Sequence, residues 1–191
     1  MPFPPLILAS GSPRRRELLA EMGVDFEVIV VEVIELDGNS APGQNAPKIA
    51  QANARLKAQA VARQGRWVLG ADTVVTLEGT LFGKPASLEQ AREFLRALSG
   101  RTHEVITGCA ILDGEGAEEI FHEVTRVTFR ALSDDAIAGY LARVHVLDKA
   151  GAYALQEQGE ILVERVDGSR SNVIGLPTER LGELLRRRGL L

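Results

Sequence analysis

Cysteine is nearly missing from this chain: the one residue, Cys109, lies in the apolar run Val-Ile-Thr-Gly-Cys-Ala-Ile-Leu. That excludes a disulfide framework and a cysteine zinc site, and Cys109 reads as a small buried core residue. Histidine is scarce too, and His103 and His122 are too scattered to argue for a metal site. Both read as surface or turn residues. No apolar stretch reaches the roughly 20 residues that a membrane-spanning helix needs. No basic region followed by a long apolar segment stands at the N-terminus, so no signal peptide is expected and a cytoplasmic location is the default. Net positive charge is lacking: 22 Lys and Arg against 26 Asp and Glu leave −4. Broad binding to nucleic acid is therefore not expected, and the basic residues are clustered locally instead. The turn after the first strand is not a Walker loop, because no Gly-Lys-Ser/Thr follows it, and not a dinucleotide fingerprint, because the glycine spacing is absent. Internal repeats and low-complexity linkers are absent as well.

What is present is an ordinary globular composition, 45% hydrophobic and 25% charged over 191 residues. That length suffices for one domain or two small lobes with a real core. The chain is organised around residues 6–19. Leu6 to Ala9 is too short for a helix and suits a strand covered on both faces. Ser12 is a natural N-cap, and Pro13 sits at the first helical position, where its missing N–H costs nothing. Gly11 lets the backbone turn and lets a ligand come close. The new helix thus points free N–H groups and a partial positive charge at the loop. Two serines and the three arginines Arg14, Arg15 and Arg16 crowd the same spot. Phosphate binding and a plain capped helix with a solvated arginine face are both compatible with this segment.

Further along, residues 26–33 alternate as a strand, with Glu32, Glu35 and Asp37 at its end and a loop by composition over 37–43. A helix opens at Pro47 and carries Ala50, Ala54, Ala58 and Val61 on one face, with Lys57 beside it. Lysine in such a helix is more often solvated than functional. Residues 67–71 form a short buried strand ending at Asp72-Thr73, where a carboxylate either faces a cleft or caps a turn. A hairpin with Glu78-Gly79 at its tip ends in Gly83-Lys84-Pro85. Ser87 caps an amphipathic helix to Leu98, with Leu88, Ala91, Phe94, Leu95 and Leu98 on one stripe. Two long strands, 104–112 and 118–130, follow, then a helix from Ser133, a small-residue segment at 149–156, a strand at 161–166 and a last helix capped by Thr178. Helices and strands that alternate first, then a long hairpin, give a mixed α/β class. Cations at Arg14, Arg15, Lys57 and Lys84 with carboxylates at Asp72 and Glu35 are what hydrolysis of a polyphosphate requires. A carboxylate can position or deprotonate the attacking water, and others can hold a divalent ion.

Seven motifs then carry a resemblance. They are Leu8-Ala9-Ser10-Gly11-Ser12-Pro13-Arg14-Arg15, Lys57-Ala58, Gly70-Ala71-Asp72-Thr73, Gly83-Lys84-Pro85, Leu98-Ser99-Gly100-Arg101-Thr102-His103, Asp148-Lys149-Ala150-Gly151-Ala152-Tyr153 and Val173-Ile174-Gly175-Leu176-Pro177. In this order they resemble the Maf family of nucleoside triphosphate pyrophosphatases over nearly the whole chain. The resemblance implies a mixed twisted sheet flanked by helices, a single Maf-like domain over residues 1–191 with two lobes and a central cleft, as in Maf and ITPase-like proteins. It implies hydrolysis between the α and β phosphates, with Mg²⁺ or Mn²⁺ as cofactor and a homodimer as assembly. Asp72 matches the proton acceptor and, with Glu35, the metal position. Ser12, Arg15, Lys57 and Lys84 match positions lining the phosphate site. Arg14, Thr73 and Gln156 match positions that set base preference and resemble the branch acting on dTTP and UTP. A glutamine offers both a donor and an acceptor, which suits a pyrimidine edge. The chain departs from the family pattern at Ile34, at residues 144–147, at Glu157 and at residues 169–171. A second reading from another class is a non-hydrolysing, nucleotide-binding regulator of cell division and septum formation.

Overall fold

A computed structural model describes residues 4–37 and 45–191. Most of the loop expected over 37–43 therefore lies outside the described residues. The first strand, β1 (Leu6–Ala9), is buried along its whole length, as its unbroken apolar run requires. Helix α1 (Pro13–Glu21) follows with proline in its first turn. Its N-cap is Ser12, but the Ser12 hydroxyl makes no cap bond; the Ser12 N–H instead donates to Ser10 Oγ at 3.3 Å. Strand β2 (Phe26–Val28) is shorter than the alternation over 26–33 suggests. Residues 26–28 pair with β1, and with no further strand beside them among the described residues the Val-rich remainder stays irregular.

Helix α2 (Ala46–Ala60) starts at Asn45, whose side chain accepts from Lys48 N–H. Strand β3 (Val68–Leu77) then runs straight through Asp72 instead of ending before it. It turns back into β4 (Thr80–Phe82) through Glu78 and Gly79, both at positive φ, which suits a two-residue hairpin. Helix α3 (Leu88–Leu98) is capped by the Ser87 side chain; of its stripe Ala91, Leu95 and Leu98 are buried, Phe94 is half-buried and Leu88 is exposed. Strands β5 (Thr102–Leu112) and β6 (Glu118–Phe129) form the long central hairpin. Helix α4 (Asp134–Leu141), the short α5 (Gly159–Leu162), β7 (Val163–Asp167), α6 (Arg170–Ile174) and α7 (Thr178–Arg187) complete the chain. Pro177, not Thr178, occupies the α7 N-cap. The expected strand at 161–166 is shifted because 159–162 coil into a helical turn, and α6 has too few residues to show a helical period.

Among the described residues seven strands form one mixed sheet in the order β2-β1-β3-β5-β6-β7, with β4 also on β3. Strand β1 runs parallel to β2 and β3; the other pairings are antiparallel. Strand β5 occupies one edge of β3 over residues 68–76. The other edge is shared: β1 pairs at Val68, Leu69 and Gly70, and β4 at Val75, Thr76 and Leu77. Between them no described strand pairs with residues 71–74 of β3 on this edge, and the cleft lies against it.

Small residues bring α2 down onto the sheet. A Cβ on Gly70 would lie 2.1 Å from the Ala54 carbonyl oxygen, and one on Gly108 would lie 2.4 Å from the Ala50 carbonyl carbon. No side chain can be added at either position without moving backbone. Ala54, Ala58 and Val61 of α2 and its C-cap pack there with Ile7, Val68 and Ala110. The opposite face packs α1 and α7 against Leu6, Leu69, Cys109 and Phe121. Cys109 is fully buried, as its apolar surroundings suggest, and burial pushes its thiol pKa up to about 12. A third cluster joins α3, α4 and the far end of β3, β5 and β6 around Leu95, Phe129 and Tyr140. None of the described helices is long and apolar enough to cross a membrane.

Candidate active site

Successive residues of a strand point to opposite faces, and β3 uses this to split its polar pair. Asp72 faces α2. Its Oδ1 lies 2.6 Å from Lys57 Nζ, and its Oδ2 accepts from Asn53 Nδ2 at 3.0 Å. Directly across the ladder from Asp72 stands Gly108, whose missing side chain leaves room for α2 to carry Lys57 this close. Thr73 faces the other way. Its Oγ1 accepts from Arg15 Nη2 at 3.0 Å and lies 2.9 Å from Thr107 Oγ1 on β5. Because the β3 edge is open here, both residues still line one cleft of ≈ 330 Å³.

Lys57 holds two carboxylates. Besides Asp72 it contacts Glu35 Oε1 at 2.9 Å, while Lys84 Nζ stands 3.9 Å from the other Glu35 oxygen. Burial opposes the Glu35 charge, but Lys57, Lys84 and Arg15 outweigh it and hold its pKa below the ordinary value. The irregular segment carrying Glu35 is fixed by Asn53. That amide donates to the Leu36 carbonyl at 2.9 Å and accepts from Leu36 N–H at 2.7 Å. One buried side chain thus ties the Glu35 segment to Asp72.

Arg15 is a buried cation. Burial depresses its pKa, although nearby Asp72 favours the charge. Its Nε donates to the Gly175 carbonyl at 2.9 Å and its Nη1 to Ser10 Oγ at 3.2 Å. With the bond to Thr73, three of the five guanidinium N–H groups are engaged, and two remain for a ligand. Arg14 reaches across the cleft mouth to Asp148 Oδ2 at 3.3 Å. Asp148 is in turn held by the buried Lys149 at 3.0 Å, which also meets Glu157 at 3.2 Å. Ser12 and Gln156 line the same cleft, Gln156 on an exposed stretch.

All nine residues singled out in the sequence, Ser12, Arg14, Arg15, Glu35, Lys57, Asp72, Thr73, Lys84 and Gln156, therefore line one cleft. Lys57 is buried and paired rather than solvated. His103 is a correction: it is 1% exposed, bonded through Nε2 to Tyr153 Oη at 2.9 Å and packed edge-on against Phe129. The Phe129 and Tyr153 rings close over it, which a count of polar neighbours along the chain does not show. Asn53, Thr107, Asn172 and Lys149 have structural roles at or behind the cleft that their sequence patterns do not assign. Asn53 had a signal, since it stands four residues before Lys57 and so shares its helix face.

Among known structures, the fold matches "The structure of the Staphylococcus aureus Ham1 protein", with a TM-score of 0.55 at 15% identity over 97% of this chain and 100% of that one. It also matches a HAM1 protein from Coxiella burnetii, with a TM-score of 0.51 at 19% identity over 95% and 98% of the two chains. Fold and cleft together define a mixed α/β protein whose cleft gathers the cations Arg14, Arg15, Lys57 and Lys84 around the carboxylates of Glu35 and Asp72. The family follows from sequence: the model described as "Maf-like protein" matches residues 5–188, and the chain belongs to the Maf family. A relative from Nitratidesulfovibrio vulgaris is 45% identical over 98% of this chain and 89% of its own length. One from Akkermansia muciniphila is 49% identical over 92% of each chain. One from Myxococcus xanthus is 47% identical over 97% and 93%. Each of these relatives carries the name dTTP/UTP pyrophosphatase.

Proposed function

We propose that this chain hydrolyses dTTP and UTP, and modified pyrimidine nucleotides of similar shape, to the nucleoside monophosphate and pyrophosphate. The observation that carries the reading is Lys57 Nζ held between Glu35 and Asp72 in the cleft that Arg14, Arg15 and Lys84 also line. Water attacks the α-phosphorus and gives its proton to Asp72 as the P–O bond forms. The bond to the α–β bridging oxygen breaks, and pyrophosphate leaves with that electron pair. Arg15, Lys57 and Lys84 balance the charge on the phosphate oxygens as it shifts toward the leaving group. The start of α1, with Ser12 beside it, adds backbone donors at the same wall. Arg14, Thr73 and Gln156 meet the base.

Among the described residues no group of three or more His, Cys, Asp or Glu could hold a metal by itself. Glu35 and Asp72 do fit one half of an Mg²⁺ or Mn²⁺ site, because such ions take their remaining oxygens from phosphates and water. When bound there, the ion would polarise a phosphoryl oxygen and neutralise charge. The reading takes the chain as one two-lobed domain, a homodimer working in the cytoplasm on small molecules. Neither nucleic acid nor membrane is a partner in it.

The test is a panel of nucleoside triphosphates with Mg²⁺, with and without chelator, read as pyrophosphate released. UTP and dTTP should be cleaved, and chelator should abolish the reaction. Nucleotide recovered bound but intact would point instead to a non-hydrolysing regulator.

A further inference from the structure

Thr73 and Thr107 face each other across β3 and β5, and the hydrogen bonds around them run in one direction. Arg15 Nη2 donates to Thr73 Oγ1 at 3.0 Å. The two threonine hydroxyls are 2.9 Å apart. Thr107 Oγ1 donates to the Asn172 carbonyl at 2.9 Å. A guanidinium cannot accept and a carbonyl oxygen cannot donate, so neither end can reverse. Each threonine has one hydroxyl hydrogen. The hydrogen of Thr107 goes to Asn172, so the hydrogen between the two threonines belongs to Thr73. Thr73 therefore has none left for a ligand and offers the cleft only a lone pair.

The far end is rigid as well. Asn172 Nδ2 donates to the Val105 carbonyl at 3.0 Å and to Thr125 Oγ1 at 2.9 Å. Thr125 passes its own hydrogen to the Ser169 carbonyl at 3.0 Å. Thr107 and Asn172 are both fully buried, so no water from bulk solvent can take either place in the chain.

We propose that Thr107, which touches no ligand, sets the polarity of the base pocket by holding Thr73 as an acceptor for the N3–H of a uracil or thymine ring. Cytosine presents a lone pair at N3, so two acceptors would meet and it is rejected. This rests on the pyrimidine triphosphatase reading above and makes Thr107 a positioning residue for specificity.

The experiment compares kcat/KM for UTP and CTP. A site shaped around a substrate N–H can reject an analogue lacking it by about 10⁴-fold, so the wild type should favour UTP by at least about 10²-fold. Thr107→Val keeps the side-chain shape but removes the acceptor for the Thr73 hydrogen, which then turns to the cleft. The UTP-to-CTP ratio should fall about tenfold or more, while Thr107→Ser should retain it. A Thr107→Val enzyme with both values lowered by one common factor and the ratio unchanged would overturn the proposal. Should that variant fail to fold, 4-thio-UTP on the wild type decides. It keeps N3–H but weakens the acceptor at position 4, and should stay within about tenfold of UTP. Rejection of 4-thio-UTP as strong as that of CTP would move discrimination away from N3 and overturn the relay. A wild type that cleaves no pyrimidine triphosphate would instead defeat the pyrophosphatase reading, and this inference with it.

Discussion

Asp72→Asn separates folding, binding and turnover in one substitution. The amide keeps the size of the side chain, and Asn53 can still donate to its oxygen. What disappears is the charge 2.6 Å from Lys57 Nζ. Breaking a buried pair costs about 3–5 kcal/mol when the surviving charge is left without compensation. Lys57 is not left so, because Glu35 remains 2.9 Å away. The cost should therefore drop to about 1–2 kcal/mol. For a chain of this length that is a melting-temperature loss of about 2–8 °C. Turnover loses its proton acceptor, which is worth about 10²–10⁴-fold. Nucleotide affinity measured without divalent ion should hold or rise, since one negative charge has left a cleft that must accept a polyanion. Pyrophosphate release from UTP, calorimetric titration with UTP and a thermal melt read the three effects separately. Wild-type turnover in a folded Asp72→Asn protein would refute the assignment of the base. Binding lost together with turnover would refute the division of labour between Asp72 and the cations.

Four further outcomes are expected. Gly108→Ala puts a methyl group against the Ala50 backbone, which forces α2 outward. It should cost about 1–3 kcal/mol and carry Lys57 and Asn53 off Asp72, so undiminished UTP turnover would contradict the packing account. Asn53→Ala releases the Leu36 segment and with it Glu35. The Mg²⁺ concentration giving half-maximal rate should rise about tenfold, and an unchanged metal titration would remove Asn53 from the site. Burial lowers the His103 pKa to about 4, whereas the unfolded chain titrates near 6.5. The unfolded state then binds the extra proton between those values. Stability is complete above about pH 6.5 and falls by about 3 kcal/mol toward pH 4. Melts of His103→Gln should be flatter over that range, and a slope equal to wild type would count against this. Glu35 has its pKa lowered, so its contact with Lys57 persists below the ordinary glutamate range and is lost as pH falls through the folded value. Glu35→Gln should remove that acid-limb transition, seen as a change in the pH profile of stability below about pH 5.

Local rules were enough for much of the chain. Pro13 at the start of α1, the Glu78-Gly79 turn and the Ser87 and Ser133 caps each act over four or five residues, and each is where its pattern places it. Seven of the nine cleft residues were legible because they sit in four short motifs, and the motif order carried the family; Glu35 and Gln156 lie outside those motifs and were matched only through the family resemblance. Tertiary structure alone decided how they meet. Arg15 bonds to a carbonyl 160 positions away, and Lys57 to a carboxylate 15 positions away on another element. No periodicity reports such distances. Whether Lys57 is solvated, whether His103 is buried and which way the Thr73 hydrogen points depend on sheet register and on α2 lying against two glycines. Those are consequences of pairing β3 with β5 and of backbone contact, which form only when the whole chain has closed around them.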